Sequence, residues 1–199
     1  MNLILASASP RRKELLASLK VPFQIFPSDF DESSAEHIAI NERAAYLALN
    51  KAKTITPRVT EGIVIGADTV VILDDRLLGK PETEADARQM LQVMSSRSHR
   101  VVTALALIEV KEGKILSELT GYEETIVFFR ELNDEIIEWY LSTGESYDKA
   151  GAYGIQGYGS LLVERIEGDY YNVVGLPLLL LERLLGTWNQ SLRIQESVR

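Results

Sequence analysis

A chain of 199 residues with 46% hydrophobic and 25% charged side chains is long enough to bury a substantial core and fold as an ordinary soluble globular protein. The lack of cysteine excludes disulfides, thiolate zinc sites and a cysteine nucleophile, and two histidines leave little scope for an imidazole metal site or a catalytic triad, so any metal must be a hard ion held by carboxylates. A net charge of −8 and a pI near 4.9 argue against a general nucleic-acid binder, although Arg11, Arg12, Lys13, Lys51, Lys53 and Lys80 allow a small basic cluster suited to a small polyanion.

The opening Asn2 to Ala6 reads as a short buried strand, broken at Ser7-Ala8-Ser9-Pro10, where a helix is predicted to begin. Ser9 is its expected N-cap, Pro10 its first position, and Leu15, Leu16 and Leu19 its core face. No basic region followed by an apolar stretch precedes this, and no apolar run of about eighteen residues occurs anywhere, which fits a cytoplasmic protein without a membrane partner. A second strand is predicted near Phe23 to Phe26, then an acidic loop, Ser28 to Glu32, and a long helix from about Asn41 to Ile55. Gly62 to Leu73 is apolar and β-branched, a central strand with Asp68-Thr69 at its middle. Asp74-Asp75 then turns the chain into Arg76 to Gly79. Thr83 with Asp86 makes a capping-box signal for a helix whose stripe is Ala87, Met90, Leu91 and Met94.

His99 to Val110 and Lys114 to Arg130 flank Lys111-Glu112-Gly113 and read as an antiparallel pair, which favours a mixed sheet over a purely parallel one. Asn133 is expected to cap a helix ending at Leu141. Gly144 to Gly159 is too long and too glycine-punctuated for a plain turn, and such loops in compact domains often carry function. A strand over Leu161 to Ile166, a loop over Gly168 to Pro177 and an apolar helix over Pro177 to Leu185 follow, leaving a polar tail, 187–199, expected to fray.

Two local features carry chemistry. A helix N-terminus presents unsatisfied N–H groups and partial positive charge, so Ser7, Arg11 and Arg12 placed there make a phosphate site, and an anionic ligand would relieve the conflict between two arginines and the helix dipole. The blander alternative has Ser9 capping and both arginines solvated. Asp68 lies inside an apolar strand and must be paired or bound to metal, since a buried carboxylate loses its hydration; a structural ion pair is the competing explanation. Glu32, in the acidic loop, is a second carboxylate for the same site.

Taken in order, Ser7-Ala8-Ser9-Pro10-Arg11-Arg12, Asp31-Glu32, Lys51-Ala52, Gly66-Ala67-Asp68-Thr69-Val70-Val71, Gly79-Lys80-Pro81, Asp148 to Gly157 and Gly168 to Pro177 resemble the Maf-like proteins over about residues 2 to 186. The resemblance implies an α/β fold with an elongated mixed β-sheet flanked by helices, related to the inosine triphosphate pyrophosphatases, in a single bilobed domain, 1–186, with a central cleft. It also implies a divalent-metal-dependent hydrolase, often a homodimer, that releases pyrophosphate from a nucleoside triphosphate. Gly151-Ala152-Tyr153-Gly154-Ile155-Gln156-Gly157 is similar to the branch acting on dTTP and UTP, with Ser146 departing from a common proline.

On this resemblance Asp68 is the proton acceptor and a metal contact, and Glu32 is the dedicated ligand for Mg²⁺ or Mn²⁺. Lys51, Lys80, Ser7, Arg11 and Arg12 hold phosphates and stabilise charge on the leaving pyrophosphate. Arg11, Thr69 and Gln156 are associated with substrate choice; the Gln156 carboxamide can pair with the O4 and N3–H of uracil or thymine, and rejects cytosine only if held in one orientation. The other readings are a nucleotide-binding regulator of septum formation without catalysis, and a nucleic-acid partner that the acidic charge disfavours.

Overall fold

The structure, a computed structural model, describes residues 2–193. Its strands are β1 (Leu3–Leu5), β2 (Phe23–Ile25), β3 (Gly62–Leu73), β4 (Arg76–Leu78), β5 (Ser98–Lys111), β6 (Lys114–Phe129) and β7 (Val163–Glu167). Its helices are α1 (Pro10–Ser18), α2 (Ile40–Ile55), α3 (Glu84–Met94), α4 (Asp134–Ser142), α5 (Tyr170–Val174) and α6 (Leu178–Gly186), with short 3-10 turns at Glu32–Ala35, Thr56–Arg58, Ala150–Ala152 and Gly157–Leu161. The sheet order is β2-β1-β3-β5-β6-β7, with β4 paired on β3. β1 runs parallel to β2 and β3, whereas β4 on β3 and β7 on β6 are antiparallel, so the fold is α/β with the expected mixed sheet. β5 and β6 form a hairpin through Glu112 and Gly113, whose φ values of 53° and 71° are those of a primed turn.

Two compact units divide the chain. The first comprises Met1–Asp68, Thr103–Glu123 and Gly175–Arg199. Within it β1 is wholly buried, as its unbroken apolar sequence requires, and α2 turns Ala44, Leu47, Ala48, Ala52 and Ile55 inward. The small residues on that face let α2 lie directly on β3: a Cβ built on Gly66 would stand 2.0 Å from the Ala48 carbonyl oxygen. Only glycine fits there, and the close approach places the next turn of α2 beside the strand.

The second unit comprises Thr69–Val102 and Glu124–Val174. Its core gathers Val71, Leu91, Met94, Val127, Phe129, Ile137, Tyr140 and Tyr153. α3 begins with the capping box the sequence predicts, the Thr83 hydroxyl accepting the Asp86 N–H at 3.1 Å and the Asp86 carboxylate accepting the Thr83 N–H at 2.9 Å. α4 is capped by Asn133, which accepts the Ile136 N–H at 2.9 Å.

Three local expectations are revised. Ser9 occupies the N-cap position of α1, but its side chain makes no capping bond; the hydroxyl turned toward this helix start is that of Ser7, which accepts the Ser9 N–H at 3.2 Å. The segment read as a loop over Gly168 to Pro177 contains α5, started by Asp169 accepting the Tyr171 N–H at 2.7 Å and anchored by buried Asn172, whose amide donates to Val101 O and Thr125 Oγ1. In the tail, Glu182 accepts from Ser191, the Leu192 N–H and Arg193, so Ser191 to Arg193 are tied to α6; residues 194–199 lie outside the described residues.

Candidate functional site

In the first unit, Asp68 sits in β3 with only 6% of its surface exposed. Lys51 projects from α2, and the Gly66 contact brings it within reach: its Nζ lies 2.6 Å from Asp68 Oδ1 and 2.7 Å from Glu32 Oε1. The Glu32 loop is held to the same helix. Ser28 and Thr54 share a hydroxyl hydrogen bond of 2.7 Å, Thr54 Oγ1 donates to Lys51 O at 2.9 Å, and Asp31 caps the turn carrying Glu32 by accepting the Ser33 N–H at 3.0 Å. One ammonium thus bridges a buried carboxylate and a half-exposed one.

Arg12 approaches from the start of α1. Its Nε donates to Gly175 O at 2.8 Å, and its Nη1 donates to Ala67 O at 2.9 Å and Ser7 Oγ at 3.3 Å, so the guanidinium is fixed on the backbone one residue before Asp68. Burial lowers the Arg12 pKa, the Asp68 charge opposes that, and Arg11 adds to the lowering, which places Arg11 in the same electrostatic neighbourhood. Burial also raises the Asp68 pKa; Lys51 and Arg12 pull it down, Glu32 pushes it up, and the net direction is upward. A carboxyl held above its ordinary range is a better proton acceptor than a solvated one. An ion pair with Lys51 is what a purely structural Asp68 would also show. What exceeds that explanation is the second carboxylate and the Arg12 guanidinium converging on the same place.

Ser7, Arg12, Glu32, Lys51 and Asp68 are therefore brought together in this unit, and Arg11 precedes Arg12 in α1. The remaining sequence-predicted residues belong to the second unit. Thr69 is half-buried and, following Asp68 in the strand, points to the opposite face. Lys80 is exposed just after β4, and the preceding Gly79 O accepts the Gly151 N–H at 2.9 Å, which ties the Lys80 segment to the loop bearing Gln156. Gln156 is exposed, immediately before the turn Gly157–Leu161. Sequence reasoning missed the Ala67 and Gly175 carbonyls and the Ser28–Thr54 anchor. The two carbonyls are backbone acceptors with no side-chain signature, and Gly175 was visible only as part of a motif.

The donor set suits a hard divalent cation, being two carboxylates without imidazole or thiolate. Among the described residues no group of three or more His, Cys, Asp or Glu side chains assembles.

Comparison with known proteins bears on the whole chain. The family described as Maf-like protein matches residues 2–188. A dTTP/UTP pyrophosphatase of Moorella thermoacetica is 51% identical over 92% of this chain and 93% of its own length. One of Clostridioides difficile is 49% identical over 93% and 94%. Among solved structures, a nucleoside-triphosphatase / dITP/XTP pyrophosphatase of Mycobacterium abscessus aligns at 17% identity and a TM-score of 0.43, covering 66% of this chain and 76% of that one, too slight a likeness to carry weight.

Proposed function

The chain belongs to the Maf-like protein family, and from that membership and its relatives named dTTP/UTP pyrophosphatase we propose that it hydrolyses dTTP and UTP to the monophosphate and pyrophosphate. The observation that carries the mechanism is the convergence of Lys51, Arg12 and Glu32 on the buried carboxylate of Asp68. Asp68 accepts the proton of a water aligned on the α-phosphorus; the new P–O bond forms as the bond to the bridging oxygen breaks and its electrons leave with pyrophosphate. Arg12, held rigid by two carbonyls, and Ser7 bind phosphate at the helix start, with Arg11 beside them. Lys51 and Lys80 stabilise charge on the leaving group. Glu32 and Asp68 would hold a Mg²⁺ or Mn²⁺ ion, which when bound neutralises phosphate charge and orients the substrate.

Thr69 and Gln156 are assigned to choice of base. The reading includes action on free nucleotide in the cytoplasm and a homodimeric state, which light scattering would check. No helix among the described residues is long and apolar enough to cross a membrane. Incubation of the purified protein with a panel of triphosphates and Mg²⁺ tests the activity. Thymidine monophosphate and pyrophosphate from dTTP, abolished by chelator, are expected; direct release of orthophosphate, or full activity in excess chelator, contradicts it.

A further inference from the structure

Gln156 can discriminate pyrimidines only if it is delivered to the base edge in a set position, yet its side chain is exposed and no hydrogen bond among the described residues fixes it. The backbone around it is restrained instead. Tyr153, three residues earlier, is buried, and its hydroxyl meets His99 Nε2 at 2.6 Å. The His99, Tyr153 and Phe129 rings interlock edge to face, with centroids 4.7 to 5.2 Å apart. On the other side, the Glu145 carboxylate accepts the Tyr158 and Gly159 N–H groups, each at 3.3 Å.

The segment between these two grips has little freedom. Immediately before it, Ala152 is in the left-handed region at φ 60°, a conformation that persists in a non-glycine residue only when its surroundings dictate it. Gly157, at φ 61°, lies so close to Glu145 that a Cβ would come within 2.5 Å of Oε1. A Cβ on Gly159 would stand 2.0 Å from Gly154 O, so the segment is also folded tightly on itself.

We infer that Tyr153, through His99, and Glu145 are positioning residues for base selection: they clamp the Tyr153 to Gly159 segment so that the Gln156 side chain leaves the backbone at one place and in one direction to meet the pyrimidine edge. This rests on the reading of Gln156 as the base-contacting residue. A clamp that serves only stability would lower the melting temperature without altering which base is preferred. A clamp that orients Gln156 governs the ratio of kcat/KM for dTTP over CTP, because uracil and thymine present N3–H and O4 where cytosine presents a bare N3 and an amino group.

The test is a double-mutant cycle on the full chain with Tyr153→Phe, which keeps the ring stack and removes the hydroxyl, and Gln156→Ala. Tyr153→Phe is expected to lower the dTTP/CTP ratio about tenfold, mainly through KM for dTTP, and to leave the ratio unchanged once Gln156 is alanine. If Gln156→Ala itself leaves the ratio intact, the base-contact reading fails and the clamp inference with it. If Gln156→Ala collapses the ratio while Tyr153→Phe does not change it, the clamp alone is overturned, as it is if Tyr153→Phe lowers the ratio equally in both backgrounds. Should Tyr153→Phe melt below the assay temperature, Glu145→Gln, which keeps size but weakens the acceptor, tests the other grip, with a fall of about threefold in the same ratio expected and no change overturning it.

Discussion

His99 gives a pH dependence of stability that can be worked from the structure. It is buried to 2% exposure, and burial alone lowers its pKa from 6.5 to about 4. Its neighbours are the Tyr153 hydroxyl and the rings of Tyr153 and Phe129, and its Nδ1 has no hydrogen-bond partner among the described residues. No carboxylate among the described residues acts on it to favour the imidazolium. Because the folded pKa lies below the unfolded one, the unfolded chain binds the extra proton between the two values. The contribution is therefore fully present above pH 6.5 and is lost as pH falls toward 4. A shift of this size corresponds to about 3 kcal/mol in all, of which about 2 kcal/mol disappears between pH 7 and pH 5, before most carboxylates protonate. For a chain of this length that is a fall in Tm of roughly 4–8 °C. Calorimetry at the two pH values, on the natural protein and on His99→Phe, isolates it: the variant loses the hydrogen bond to Tyr153 and is less stable throughout, but the steep part of its pH slope should vanish. Equal Tm differences in the two proteins, or a His99 proton resonance titrating near 6.5 in the folded state, would refute the reasoning.

Lys80→Ala is expected to cut turnover about a hundredfold or more with stability within about 0.5 kcal/mol, because the side chain is exposed; steady-state kinetics and thermal melts check both. Lys51→Ala should cut turnover as deeply but also destabilise by up to about 3 kcal/mol, since Asp68 loses its 2.6 Å partner; undiminished stability would mean the pair is not formed in solution. Gly66→Ala puts a methyl 2.0 Å from a backbone oxygen and should destabilise by on the order of 3 kcal/mol or more, read as a collapsed denaturation midpoint. Ser146 is fully buried with no hydrogen-bond partner for its hydroxyl among the described residues, so Ser146→Ala should raise Tm by roughly 2–4 °C, the gain for removing one orphaned hydroxyl.

Much of the fold was legible because its long elements announce their period. β3 matches the expected Gly62 to Leu73 at both ends, since an uninterrupted apolar run bounded by Gly62 and Asp74-Asp75 admits little else. The capped helices α3 and α4 were legible for a related reason, each opening with a side chain that satisfies an orphan N–H. α5 was not, because five residues between glycines show no periodicity and their order comes from Asn172 bonding to residues distant in the chain. At the site, charge and apolar context pointed to Asp68, Lys51 and Glu32 as residues. That one ammonium joins both carboxylates depends on the packing of α2 against Gly66, a distance that no spacing in the sequence encodes. Arg12 was legible as a cation at a helix start, but its fixation on Ala67 and Gly175 carbonyls was not, because backbone acceptors look alike in any sequence.

In the proposed reaction Asp68 acts through its negative charge, and Asp68→Asn separates that role from a structural one when pyrophosphate release from dTTP is measured beside dTTP binding and thermal unfolding of the same preparation. Because burial already disfavours the charged form of Asp68 and Lys51 keeps its 2.7 Å pairing with Glu32, the neutral isostere should fold with little change in Tm, bind nucleotide, and release pyrophosphate about a thousandfold more slowly or worse. An Asp68→Asn protein that is strongly destabilised yet hydrolyses dTTP at the natural rate would show instead that the carboxylate serves only to hold Lys51.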